Sequence, residues 1–294
     1  MEKVRASAGQ QVWESQSMWS QAADAAKRTI ARARMAGLLL GIAAAGLSTA
    51  GVQAMTWNAA LGRSLVFLGA ASAGLAPLAA ARSGPTSLQN WTRLRSVSEA
   101  LKSELYMYLA CVGVYRTADA ARALLDRADR IVMDAADLTY LTTAFIPVAR
   151  PIPAVSDVDS YATVRLAGQI HDYYRPRADL MRRRTILMRR IEFTLAAAAA
   201  TLGAAGAAFG AERASAWVPT LTTMVAAVTA HAAASRYAYQ EIEFSRTAAE
   251  LDSLLARYKT ECESEAEADD AFVGNCEDVI SAQNEGWMAK WSAA

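Results

Sequence analysis

The sequence predicts an all-α membrane protein: two transmembrane helical hairpins, four spans in all, joined and followed by long cytoplasmic helices. Three observations predict this. Residues 35–62 and 64–81 carry no charge and are split only by Arg63. Residues 193–211 and 214–235 carry none and are split only by Glu212 and Arg213. Arginines flank both pairs, and apolar residues elsewhere recur every three to four positions. A helix rises about 1.5 Å per residue, so roughly 20 apolar residues match a hydrocarbon layer of about 30 Å.

The spans are drawn at 35–55, 64–81, 193–210 and 217–234. All four are rich in Ala and Gly rather than Leu and Ile. The first apolar run begins only after 34 residues that include Glu2, Glu14 and Asp24, too far in for a secretory signal, so it is expected to be a retained anchor. Lys27, Arg28, Arg32 and Arg34 precede the first span, and Arg82, Arg93 and Arg95 follow the second. Arg182, Arg183, Arg184, Arg189 and Arg190 precede the third, and Arg236 follows the fourth. The connections inside the hairpins hold only Arg63 and the self-cancelling Glu212 and Arg213. Basic flanks stay on the cytoplasmic side, so both termini and the middle segment are expected there.

The remaining segments read as helix. Leu88, Trp91, Leu94, Val97, Leu101, Leu105, Tyr108 and Val112 form one apolar stripe, and residues 118–136 form a second amphipathic helix. Pro147, Pro151 and Pro153 interrupt the pattern and mark a boundary, because proline lacks the N–H a helix needs. The chain divides into a first hairpin domain at 1–146, a Pro-containing linker at 147–159 and a second hairpin domain at 160–294. Helix resumes over 161–190, with a bend near Pro176. Ile242, Ala248, Leu251, Leu255 and Tyr258 continue a stripe after the fourth span, and Val273, Cys276, Ile280, Trp287 and Trp291 share one side of a closing helix. Arg28-Thr29-Ile30 recurs as Arg184-Thr185-Ile186 ahead of the second hairpin, and Ser98-Glu99-Ala100 has a counterpart in Ala249-Glu250-Leu251. The order of elements is the same in both halves, which reads as a tandem duplication.

Composition narrows the function. The 294-residue chain has a net charge of +1, which gives no global field for nucleic acid. The mean hydropathy of +0.10 is raised by the spans and diluted by the polar helices. Cys111, Cys262 and Cys276 make no zinc spacing, there are only two histidines, and the acidic stretch 261–270 lacks the Gly and terminal Glu of a calcium loop. No metal or cofactor is expected. No nucleophile-elbow, Walker or zincin motif is present, so no enzymatic activity is expected either.

Small residues supply candidate helix-packing positions at Gly37 and Gly41, at Ala70 and Gly74, and at Gly206 and Gly210. Pro77, inside the second span, is a candidate hinge or a fixed bend. Ser48, Thr49, Gln53, Thr194, Thr201, Thr222, Thr229 and His231 are the candidate polar positions of a pore or of a helix interface.

The arrangement resembles the SLATT families, two-transmembrane helical domains of prokaryotic conflict systems. Gln169-Ile170-His171-Asp172-Tyr173-Tyr174-Arg175 looks like the entry helix, and Trp217-Val218 and Ala230-His231 leading to Arg236-Tyr237 look like the hairpin. Cys276-Glu277-Asp278-Val279-Ile280 with Trp287-Met288-Ala289-Lys290-Trp291 is similar to the closing helix. The first half resembles a more divergent copy. The resemblance implies an effector in the prokaryotic inner (plasma) membrane. Four spans from one chain are too few, and too short of polar residues, to enclose a wide aqueous path, so a homo-oligomer is expected. Such an effector is held quiet until a partner, often a nucleotide-second-messenger system or the release of an inhibitor, lets it perforate the membrane during phage attack. The alternatives are a non-conducting scaffold for cytoplasmic partners and a small channel or transporter unrelated to defence.

Overall fold

The computed structural model describes residues 2–260 and 266–292. Cys262 and the three carboxylates of 261–265 lie outside the described residues, as do the side chains of Trp287 and Trp291. Every element among the described residues is helical. The order is α1 (Glu2–Ala54), α2 (Ala59–Ala81), α3 (Pro85–Leu109), α4 (Ala120–Met133), a single turn α5 (Val158–Ser160), α6 (Arg175–Phe209), α7 (Glu212–Ser215), α8 (Val218–Ser235), α9 (Tyr237–Thr260) and α10 (Ala266–Ser292). Short 3-10 turns lie at Gly113–Arg116 and Ala136–Leu141, and two π-helical turns, Tyr161–Leu166 and Gln169–Tyr174, link α5 to α6.

Three helical stretches, Val4–Ala54, Ala59–Arg116 and Val158–Phe209, are long and apolar enough to cross a membrane. The fourth expected span corresponds to α8, which is not among them. Pro219, four threonines and His231 dilute its hydropathy.

The chain forms two compact units, and each sequence half contributes to both. One unit comprises Met1–Arg28, Pro85–Ala178 and Ile242–Ala294; the other comprises Thr29–Gly84 and Asp179–Glu241. The arginine-flanked apolar runs are therefore gathered into one unit and the amphipathic helices into the other.

In the amphipathic unit, α10 packs along α3, and α4 packs on the same helix. The expected α3 stripe is present: Trp91, Leu94, Val97, Leu101, Leu105 and Tyr108 are all buried. In α4 the buried face is Ala120, Ala121, Leu124 and Ala128. The proline segment does not hang free. Gln21 donates to Ile146 O at 2.8 Å, Trp13 Nε1 donates to Pro151 O at 3.0 Å, and Val148 N donates to Ser17 Oγ at 3.1 Å. Side chains of α1 thus satisfy backbone groups that a helix ladder would otherwise use. Helix resumes at Asp157, whose carboxylate accepts from Ser160 N at 2.8 Å while Ser160 Oγ accepts from Asp157 N at 3.1 Å, a reciprocal cap.

The π turns explain how the next segment buries its side chains. Ala162, Leu166, Ile170 and Tyr174 are buried at a strict four-residue spacing. In an α-helix of 3.6 residues per turn such a row drifts around the axis. The wider turn, seen where Ala167 N reaches Ala162 O, keeps the row on one face. Pro176 falls at the second position of α6, directly after the second π turn, where a missing N–H is tolerated. The expected stripe on α9 needs one correction: Ile242 is exposed, and the buried face is Phe244, Thr247, Ala248 and Leu251.

In the apolar unit, the first connection is shorter than expected. Asn58 caps α2 by accepting from Leu61 N at 3.1 Å, so Arg63 lies on α2 and not in the turn. At the other connection α6 ends at Phe209, followed by Gly210 in the left-handed region at φ +63°, and Glu212 and Arg213 begin the single turn α7. Arg236 also adopts positive φ and separates α8 from α9, its N–H reaching Ala232 O and Ala233 O.

Candidate functional site

The apolar unit is held together by small side chains. A methyl group at Gly62 would lie 2.7 Å from Met55 N and 2.8 Å from Gly51 O. One at Gly51 would lie 2.8 Å from Val66 N, and one at Gly69 would lie 2.5 Å from Ser48 Oγ. The contacts climb α2 as they descend α1, so the two helices are antiparallel neighbours at near-backbone distance. On another side of α1, Gly46 faces Met224 Cε at 3.3 Å, and the hydroxyls of Thr49 and Thr220 share a hydrogen bond. Gln53 donates to Arg213 O at 3.0 Å.

These close approaches fall mostly at positions other than those expected from small-residue spacing. Gly37 and Gly74 have open space where a side chain would project, Gly210 does too, and Gly41 reaches only Ala227 Cβ at 4.0 Å. Gly206 is close to α7: a methyl group there would lie 2.6 Å from Ser215 Cβ. Ala70 and Pro77 are exposed on α2. The signal that marks the true contact is the row Ala44, Ser48 and Gly51, spaced four and three, opposite Gly62, Val66 and Gly69.

The polar positions are satisfied locally. Thr194 donates to Ile191 O, Thr201 to Ala197 O and Thr222 to Pro219 O, each back to its own helix. Thr229 donates to Glu192 Oε1 at 2.8 Å, tying α8 to the carboxylate one residue before the third apolar run. His231 is buried with Tyr237 Oη 3.4 Å from Nε2. An apolar groove of about 470 Å³ runs between α6 and α8, lined by Ala199, Gly203, Val218 and Val225 among others.

The amphipathic unit contains a buried charged cluster. Arg165 meets Glu277 through two bonds, Nε–Oε1 at 3.0 Å and Nη2–Oε2 at 3.1 Å, and Tyr161 Oη donates to Oε1 at 2.9 Å. Both charged side chains are almost fully buried, at 1 % and 3 % exposure. The Arg165 guanidinium also lies over the Tyr106 ring, 4.5 Å from its centroid. Burial disfavours the charge on Arg165, but Glu277 outweighs it and holds the guanidinium charged. Glu99, also buried, pairs with Arg95 at 2.7 Å and with Lys102 at 3.1 Å. Burial pushes the Glu99 carboxyl up, yet Arg95, Lys102 and Arg165 together hold it down at about 2. Burial brings Lys102 down to about 8 against the pull of Glu99, and burial beside Glu277 pushes the Cys276 thiol up to about 12. The cluster ties α3, the π-helical segment and α10 together. Among the described residues no group of three or more His, Cys, Asp or Glu could hold a metal ion.

Among the described residues the protein is thus all-helical, with one unit that buries charged groups and one apolar unit, and three of its helical stretches are long and apolar enough to cross a membrane. Residues 161–287 match the family model described as SMODS and SLOG-associating 2TM effector domain 1, SLATT_1. The second half of the chain is therefore similar to a SLATT domain. Residues 17–123 match a different family model, described as protein of unknown function (DUF4231). No curated protein and no solved structure matches the chain.

Proposed function

We propose that this protein is a multi-pass membrane effector of a prokaryotic conflict or anti-phage system, which assembles as a homo-oligomer and permeabilises the inner membrane when activated. Both helical pairs of the apolar unit cross the bilayer in this reading, as a tandem of hairpins with α8 as the fourth span and both termini cytoplasmic. The activating partner is a nucleotide-second-messenger sensor or the loss of an inhibitor, acting on the amphipathic unit. No catalytic step is part of the proposal.

The observation that carries it is inverted burial in the apolar unit, in a chain whose residues 161–287 match the SLATT_1 model. Phe67, Phe193 and Phe209 are 72 %, 74 % and 85 % exposed, while Gly51, Gly62 and Gly69 make the internal contacts. Water does not tolerate so large an outward apolar surface, whereas lipid supplies no drive to hide it and leaves close backbone packing as the glue. Homo-oligomers with closed symmetry would bring the exposed α8 face of Thr222, Thr223 and Thr229 around an axis. One finding favours a second reading, a non-conducting scaffold: within a single chain Thr194, Thr201 and Thr222 bond carbonyls of their own helices and Thr229 bonds Glu192.

The test is dye and ion release from liposomes carrying the purified full chain, with and without candidate cyclic nucleotides, beside growth arrest on expression. Release with arrest is the expected result. A chain that stays monomeric and never leaks leaves the scaffold reading in its place.

A further inference from the structure

The arginines ahead of the third apolar run form a surface that the packing of the protein does not use. Arg182, Arg183, Arg189 and Arg190 are exposed on α6, and among the described residues none of them makes an ion pair. They fall at i, i+1, i+7 and i+8, two whole turns apart, and so share one face. Met181 is buried and Thr185 and Met188 are half-buried on the other side of the same turns, which fixes that face outward. The exposed Ile186 and Phe193 continue it in line. The nearby acids do not neutralise it: Asp179 is a turn upstream with no ion pair, and Glu192 is engaged by Thr229.

We infer that this face is a binding site for anionic phospholipid headgroups, with Arg189 and Arg190 as the direct phosphate contacts. The inference rests on the membrane reading above. With Phe193 at the edge of the hydrocarbon, Arg189 and Arg190 lie about 5 Å further out at 1.5 Å per residue. That is inside a headgroup layer of roughly 5–8 Å per leaflet. Arg182 and Arg183 lie about 10 Å beyond them, close to one Debye length at physiological salt. The first pair therefore makes charge-assisted bonds to phosphate, and the second acts through a screened field. The planar guanidinium grips a phosphate through two donors, which a lysine does less well.

A basic group near an anionic surface is worth about fivefold in binding, so the inner pair predicts a preference on the order of tenfold or more. Native mass spectrometry of the full chain, in micelles holding equal phosphatidylglycerol and phosphatidylcholine, reads this directly. The wild type is expected to retain phosphatidylglycerol about tenfold over phosphatidylcholine. R189Q/R190Q should fall to near parity, and R189K/R190K should keep a reduced preference. R182Q/R183Q should weaken the preference at low salt only. A wild type without preference, an R189Q/R190Q variant that keeps it, or retention of RNA in place of lipid overturns the inference. A lysine variant that loses preference as fully as the glutamine variant overturns it as well. Alkaline carbonate extraction separates the two claims: a chain that stays with the membrane yet shows no lipid preference sinks this inference alone, whereas a chain released to the supernatant sinks the membrane reading.

Discussion

In the unit built on α3 and α10, Trp19, Leu101, Tyr161 and Ile170 are buried, and charged groups meet inside. In the unit built on α2 and α8, Phe67, Leu78, Phe193 and Phe209 face outward, and the closest helix–helix approaches fall at glycine, serine and threonine. Both are helical and both come from the same two halves of the chain. Helix formation is common ground, and on the membrane reading proposed above the surrounding solvent sets which side chains turn inward. In water a helix hides its large apolar stripe; in lipid it hides whatever lets backbones approach.

The largest expected effect breaks the charged side of this comparison. Glu277→Ala leaves Arg165 buried without its carboxylate, and removing one partner of such a pair typically costs about 3–5 kcal/mol. Thermal or denaturant unfolding of the full chain in detergent should show this loss. Arg165→Met combined with Glu277→Leu should recover most of it, because two apolar groups leave no orphaned charge. If E277A alone is neutral, the pair is not holding α10 in place.

A pH titration sharpens the same point. Glu99 is held at about 2 against an ordinary value of 4.5, so its contribution is fully present above pH 4.5 and is lost as the pH falls toward 2. A shift of that size corresponds to on the order of 3 kcal/mol. Stability measured from pH 5 down to pH 2 should decline, and Glu99→Gln should flatten that decline. An unchanged slope in E99Q would mean that other carboxylates carry the acid sensitivity.

The smallest effect probes the glycine side. Gly62→Leu has no room between Met55 and Gly51, so it should lower the melting temperature in detergent by an amount matching about 1–3 kcal/mol, the usual range for overpacking. Gly74→Leu enters open space and should leave the monomer's melting unchanged. Equal effects at both sites would contradict the packing described for α1 and α2.

The features legible in residue order are local. The absence of charge over span-length runs, the three-to-four-residue stripe of α3, the stop at Pro147–Pro153 and the arginine flanks are short-range patterns, because helix periodicity and proline's missing donor act within a few residues. The remaining features come from packing between distant segments. That packing joined Arg165 to Glu277 across 112 positions, selected Gly51, Gly62 and Gly69 over Gly37 and Gly74, and gathered the helices of both halves into units that cut across the order of the chain. Those outcomes depend on which faces meet in space, and a buried ion pair or a backbone-to-backbone contact leaves no mark in the residues beside it. The π-helical turns fall between the two. Their four-residue row from Ala162 to Tyr174 was present in the sequence, but only the partners packed against it made that row a buried face.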